Sequence, residues 1–285
     1  MNEKKIVTLK EHFKDIISDK QGLIKKSVIP IYIMNKSKVY QLGSAVLITL
    51  DSKYFLISAA HVLMDNGTEY YAPYLGDIYK ISGVITGVYV EEITKRKEDK
   101  YDFAILELDE VCLNGLKNDY EFLTLANIDI DHKFDLKNFY SVAGFPGEHN
   151  NKLIDNDQKK IKSIIYFIFD HPELDNHIYS AIKAEKHAHL LVKYDIDNVA
   201  NEENIPCIGI TPHGMSGGGI FWISDIITET KNSKKLVAVS IEYHKKQNVI
   251  MGIRIHVILE AIRQLHDVKF PFDISTLTQV KIYFK

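Results

Sequence analysis

Pro212-His213-Gly214-Met215-Ser216-Gly217-Gly218-Gly219-Ile220-Phe221 sets a serine in a glycine-dense turn. Glycine frees the backbone to take up tight geometry and to aim its N–H groups at a developing negative charge. A serine hydroxyl is a weak nucleophile until a neighbouring base takes its proton. The residues that follow, through Trp222 and Ile223, are poor helix formers and predict a strand. A base and a carboxylate for this serine must therefore come from elsewhere in the chain.

Two other stretches offer them. In Phe55-Leu56-Ile57-Ser58-Ala59-Ala60-His61-Val62-Leu63 a strand empties into small residues and then a histidine. Imidazole is suited to accept a proton near neutrality. In Tyr101-Asp102-Phe103-Ala104-Ile105-Leu106-Glu107-Leu108 an aspartate heads a strand, and such a carboxylate can fix the tautomer of a basic imidazole. Each stretch alone has a plain explanation: a hydrogen-bonded structural histidine, a strand-edge acid, a tight turn. Their conjunction in this order is what points to nucleophilic catalysis.

The rest of the chain has the texture of a β protein. Val28–Ile33, Ser44–Ile48, Tyr54–Ile57, Ile81–Val90, Phe103–Leu108, Phe139–Ala143, Ile161–Phe169, His189–Tyr194, Ile220–Ile223 and Leu236–Ile241 read as short strands between turn signals. Glu148–Lys160 and Asp195–Asn204 read as surface loops. Thr8-Leu9-Lys10-Glu11 fits a capping box, and Leu9, Phe13, Ile16 and Ile17 continue at helical spacing. Ile255, Ile258, Leu259, Ile262 and Leu265 step by three and four, which predicts a helix over Val257–His266. Val280–Phe284 reads as a final strand.

The three catalytic stretches resemble the chymotrypsin-like (trypsin-like) serine peptidases. The likeness rests on Ser58-Ala59-Ala60-His61, Asp102-Phe103-Ala104-Ile105-Leu106 and Gly214-Met215-Ser216-Gly217-Gly218. Gly43-Ser44-Ala45-Val46 and Gly144-Phe145-Pro146-Gly147 are secondary marks, and the resemblance runs from Ile29 to Leu265. It implies an all-β fold with peripheral helices, made of two packed antiparallel six-stranded β-barrels with the site between them. The expected organisation is an N-terminal helical extension over 1–26, a first lobe over 27–130 carrying His61 and Asp102, a second lobe over 131–268 carrying Ser216 and the C-terminal helix, and a tail over 269–285. The implied roles are His61 as base, Asp102 as its orienting acid, Ser216 as nucleophile, and the Gly214 and Ser216 N–H groups as oxyanion hole. Ile210, Thr211, His213, Ile241, Tyr243 and Arg254 are the expected substrate-pocket residues. Ile210 stands six before the serine, where trypsin-like members place Asp, so a basic side chain is not the expected preference.

Met215 stands where secreted members carry an aspartate that pairs with a newly cut N-terminus. No Ile-Val-Gly-Gly-like activation sequence lies near the start. The chain is closer to bacterial, non-zymogen members. Two other readings compete. Gly214-x-Ser216-x-Gly218 also satisfies the nucleophile elbow of α/β-hydrolases, which needs a strand-to-helix turn at the serine. A peptidase-like fold could also serve as a binding or regulatory module, although the sequence keeps all three triad residues.

Composition closes off other classes. The 285 residues carry Lys+Arg 35 against Asp+Glu 38, a net charge of −3, which argues against a nucleic-acid surface. The longest apolar run, Ile164–Phe169, is far short of a membrane span, and the first residues lack an apolar export core. Cys112 and Cys207 are too few for a disulfide framework. His171 with His177, and His187 with His189, lack a third ligand for a metal. The expectation is a cytoplasmic enzyme without cofactor or metal, taking a protein or peptide substrate and in need of control, as by a regulatory protein partner.

Overall fold

Two curled antiparallel sheets, one from each half of the chain, form the body of the protein. The computed structural model describes residues 22–64, 69–74, 77–88, 99–157, 160–200, 205–223 and 234–277. A short helix, α1 (Leu23–Ser27), leads into β1 (Val28–Asn35), β2 (Lys38–Leu50) and β3 (Lys53–Ser58). These strands are joined by two-residue loops. Lys36 and Ser37, and again Asp51 and Ser52, have positive φ, as the turn that matches strand twist requires. After β3 comes the single turn α2 (Ala60–Leu63), then β4 (Tyr70–Tyr74), β5 (Asp77–Ile81), β6 (Gly83–Gly87) and β7 (Ala104–Leu108). The sheet order is β5-β4-β1-β2-β3-β7-β6.

This first sheet has seven strands where six were expected. Tyr70–Tyr74 adds a strand, and the run Ile81–Val90 is broken into two. The break falls at Ser82, where β5 ends and β6 begins on the opposite edge of the sheet. Gly83 starts β6 at φ 150, and a Cβ there would fall 2.0 Å from the Glu107 carbonyl oxygen. Val90 lies outside the described residues.

A helix α3 (Glu110–Leu116), capped by the Asp109 carboxylate accepting from the Cys112 N–H, begins the passage to the second lobe. Leu123 and Ile128 on that passage make parallel bridges to Ile48 and Leu236, so it straps the two sheets together. The second sheet comprises β8 (Phe139–Gly144), β11 (Tyr166–Asp170), β12 (His189–Lys193), β15 (Gly219–Ile223), β16 (Lys234–His244) and β17 (Val249–Arg254), in the order β11-β8-β15-β16-β17-β12. Between them lie α4 (Gly147–Asn151), the small ladder β9 (Ile154–Asp155) with β10 (Lys160–Ile161), α5 (Asn176–Ala181), and the small ladder β13 (Val199–Ala200) with β14 (Pro206–Cys207). The Glu148–Lys160 stretch thus holds a helix and a hairpin rather than plain loop. Phe169 sits in a strand that starts only at Tyr166, because Ile164 turns its N–H to the Asn150 side chain.

Helix α6 (Ile255–Leu265) buries Ile255, Val257, Ile258, Leu259 and Ile262 against β16 and β17, two residues earlier at its start than the periodicity predicts. One apolar core runs through both lobes: Leu47 and Phe55 of the first sheet, Ala143, Phe221 and Val239 of the second, and Ile258 of α6 belong to it. The expected N-terminal helix and C-terminal strand lie outside the described residues.

Candidate active site

His61 sits on the single turn α2, directly after β3, and Asp102 sits two residues before β7, the strand paired with β3. That pairing aligns Ser58 with Ala104 and delivers both side chains to one end of the sheet. Asp102 is almost fully buried, and its Oδ1 accepts the His61 backbone N–H at 2.9 Å. Its Oδ2 lies 2.5 Å from His61 Nδ1. An ionised carboxylate only accepts, so this contact puts the proton of the neutral ring on Nδ1 and leaves Nε2 as the basic nitrogen. The His61 side chain keeps 39% of its surface open to solvent, against 9% for Asp102. The ring is thus held from behind and reachable in front.

Ser216 occupies a double turn. The Met215 N–H donates to the Pro212 carbonyl at 2.8 Å and the Gly218 N–H to the Met215 carbonyl at 2.9 Å. Each of these four-residue turns has glycine third, Gly214 at φ 91 and Gly217 at φ 88. That is the type II pattern, which a side chain at the third position opposes. At Gly217 the space is closed as well: a Cβ would fall 1.9 Å from the Ser44 carbonyl oxygen. Met215, between them, is buried in the apolar cluster of the second lobe with Val142, Ile220 and Ile250.

The second-lobe loop is fastened to the first lobe beside His61. The Ser44 N–H of β2 donates to the Ser216 carbonyl at 2.8 Å. The Cα of Gly43, the preceding residue, lies against both segments. A Cβ on it would come within 2.6 Å of Val62 Cγ2 and 3.2 Å of the Ser216 carbonyl oxygen. The three predicted stretches therefore converge at the junction of the lobes. Among the described residues the Gly214 and Ser216 N–H groups have no hydrogen-bond acceptor, whereas those of Met215, Gly217 and Gly218 are all engaged. Two unengaged N–H donors beside a serine are what a developing oxyanion requires. Ser216 is followed by strand β15, not by the helix of a nucleophile elbow.

The expected pocket residues divide. Thr211 and His213 are exposed in the segment leading to Ser216, and the Ile210 carbonyl accepts the Tyr194 hydroxyl at 2.6 Å. Tyr243 packs against the second-lobe cluster. Ile241, at a bulge in the β16–β17 ladder, is buried in the main core. Arg254 donates to the His132 carbonyl at 2.6 Å and the Lys186 carbonyl at 3.2 Å, and its guanidinium covers the Phe134 ring.

Several residues beyond the predicted site residues support the site. His189 of β12 lies with Nε2 2.7 Å from the Lys100 carbonyl and accepts the Glu185 N–H on Nδ1 at 2.9 Å. Burial lowers its pKa and outweighs the carbonyls that would raise it, so it acts as a neutral ring. The Glu185 carboxylate accepts from both Lys100 and the Tyr101 hydroxyl. The turn that presents Asp102 is thereby tied to the second lobe. Beside it opens a cleft of about 610 Å³ whose walls include Tyr101 from the first lobe and Glu242, His244 and Met251 from the second. Among the described residues no three His, Cys, Asp or Glu side chains come together as a metal set.

No protein-family model matches this chain, and no curated protein matches it in sequence. Solved structures do match. One is an inactivated protease paralogue, S-I1, of the scabies mite: 12% identity, 86% of this chain and 96% of that one covered, TM-score 0.54. Another is the protein GrC: 9% identity, coverage of 85% and 94%, TM-score 0.51. A thermostable serine protease, AL20, from an extremophilic microorganism aligns at 13% identity over 80% and 91%, TM-score 0.47. The chain has the chymotrypsin-like fold.

Proposed function

We propose that the protein is a serine-type endopeptidase acting on a protein or peptide through His61, Asp102 and Ser216. The observation that carries this reading is the grip of the Asp102 carboxylate on both the backbone and ring nitrogen of His61, beside a serine whose flanking N–H groups are unengaged. His61 Nε2 takes the Ser216 proton as Oγ attacks the peptide carbonyl, and the carbonyl oxygen becomes an oxyanion facing the Gly214 and Ser216 N–H groups. The C–N bond breaks as His61 returns the proton to the leaving amine, leaving an ester on Ser216. Water then attacks that ester with His61 again as base, which releases the acid and restores the serine. Protonated His61 cannot serve as base, so turnover rises with pH as the ring loses its proton.

A basic side chain at the cleaved position is not favoured. Ile210 offers no charge six residues before the serine. The test is incubation of a denatured proteome with the wild type and with Ser216→Ala, followed by mapping of new termini. New termini made only by the wild type support the reading, and their flanking residues give the preference. A folded wild type that makes none removes it.

A further inference from the structure

We infer that Gln41, reaching across from the first lobe with Ser44, is the positioning residue that holds the oxyanion loop open. This inference rests on the endopeptidase reading. In a trans peptide the C=O and N–H point to opposite sides, and no cis bond occurs among the described residues. Whatever grips a carbonyl in the loop thus aims the N–H of the same peptide unit. The His213 carbonyl accepts the Gly147 N–H at 2.8 Å, which turns the Gly214 N–H away from Gly147. The Met215 carbonyl accepts the Ser240 hydroxyl at 2.8 Å, which turns the Ser216 N–H away from Ser240. Between them, the Gly214 carbonyl accepts from Ser44 Oγ at 2.9 Å and Gln41 Nε2 at 3.2 Å, which by the same rule holds the Met215 N–H on Pro212 and fixes the peptide unit that joins the two open donors.

Gln41 joins these supports. Its Nε2 also donates to the Gly43 carbonyl at 2.6 Å and the Phe145 carbonyl at 2.9 Å, two residues before Gly147. Ser44 Oγ accepts the Phe145 N–H at 2.9 Å. One amide thus bonds the first-lobe strand, the Phe145–Gly147 segment and the loop before Ser216 at once. Three carbonyls around Nε2 fix the amide orientation, since only its NH2 end can face them. The other end, Oε1, is buried and has no hydrogen-bond partner among the described residues, although Gln41 is only 6% exposed. A buried orphan acceptor is costly, and keeping one here indicates that the two N–H groups of Nε2, shared among the three carbonyls, outweigh it. Met215 brings no charge to the loop. The neutral Gln41–Ser44 pair fastens it from the other lobe, with no charge pair at that position.

The test compares wild type with Gln41→Met, which keeps the volume and removes the donors, and Ser44→Ala, a smaller change should the first variant not fold. The expected result is a kcat about 10- to 100-fold lower, with KM changed less than about threefold. Affinity for a peptide aldehyde, which forms an oxyanion, should fall in step with kcat, while affinity for the unreactive peptide amide holds. In 15N spectra recorded on a Ser216→Ala background, the amide signals of Gly214 and residue 216 should move and those of the β5 edge should not. A folded Gln41→Met or Ser44→Ala variant with unchanged kcat and unchanged amide signals overturns the inference. Failure of the wild type to hydrolyse any peptide instead removes the endopeptidase reading, and the amide signals still decide whether Gln41 positions the loop.

Discussion

Asp102 holds His61 twice: one carboxylate oxygen takes its backbone N–H at 2.9 Å and the other faces its ring Nδ1 at 2.5 Å. The double contact fixes both where the ring stands and which nitrogen carries its proton. An amide in place of the carboxylate presents a donor to one of those nitrogens and breaks that arrangement. Asp102→Asn should therefore lower kcat by about 10⁴-fold while far-UV circular dichroism stays unchanged. Retention of more than a tenth of the activity would remove Asp102 from its role.

Gly217 is held by conformation and by space. Alanine there meets the Ser44 carbonyl at 1.9 Å and the Ser58 hydroxyl at 2.1 Å on a residue at φ 88. Gly217→Ala should cost at least about 2 kcal/mol in urea unfolding and lose activity even when folded. Both effects trace to displacement of the loop from β2 and β3. Wild-type stability in this variant would show the loop to be softer than its contacts imply.

Burial, with the Arg254 guanidinium nearby, lowers the His256 pKa to about 4. The unfolded chain binds this proton more readily, at the ordinary histidine value near 6.5, so acid favours unfolding. The contribution of neutral His256 is complete above about pH 6.5 and is lost as pH falls from there to about 4, on the order of 3 kcal/mol in all. Equilibrium unfolding measured across that window should show the slope in the wild type and a flatter profile in His256→Asn. An unchanged slope in the variant would assign the dependence elsewhere.

Glu107 fastens the end of α6 to the first sheet. Its carboxylate lies 2.8 Å from His266 Nδ1 and 3.2 Å from Lys53 Nζ, and Lys53 also donates to the His266 carbonyl. Burial alone would raise its pKa, but the bonds from His266 and Lys53 together hold it below the usual carboxylate value. The stabilisation is therefore present above about pH 4.3 and lost as pH falls through the lower folded value. Glu107→Gln should cost about 1–2 kcal/mol at neutral pH and remove this acid limb. Thermal melts at pH 7 and pH 3 should then differ less in the variant than in the wild type.

The three stretches of the candidate site are readable in the sequence because their marks are local. Small residues before His61, an aspartate opening a strand, and glycine at the third position of two successive turns all leave contiguous marks. What supports them leaves none. Gln41 and Gly214 are 173 residues apart, and His189 and Lys100 are 89 apart. Neither pairing has a periodic or motif signature, since each depends on how the two sheets meet. The split at Ser82 is hidden for another reason. Ile81 before it and Val84–Thr86 after it are all β-forming, and only the sheet order, with β5 and β6 at opposite edges, reveals that two strands share that run. Asn150 and Asn151 read as loop polarity, yet their side chains pin α4 to the Ile164 backbone and to the Gln41 N–H.

The most direct measurement is intact-mass analysis of the folded protein after exposure to a fluorophosphonate, with digestion to locate the adduct. A nucleophile activated by His61 and faced by two unengaged N–H groups should take one phosphonyl group, on Ser216, with no adduct in Ser216→Ala and far slower labelling in His61→Ala. A correctly folded wild type that stays unmodified, or that labels as fast without His61, contradicts the account.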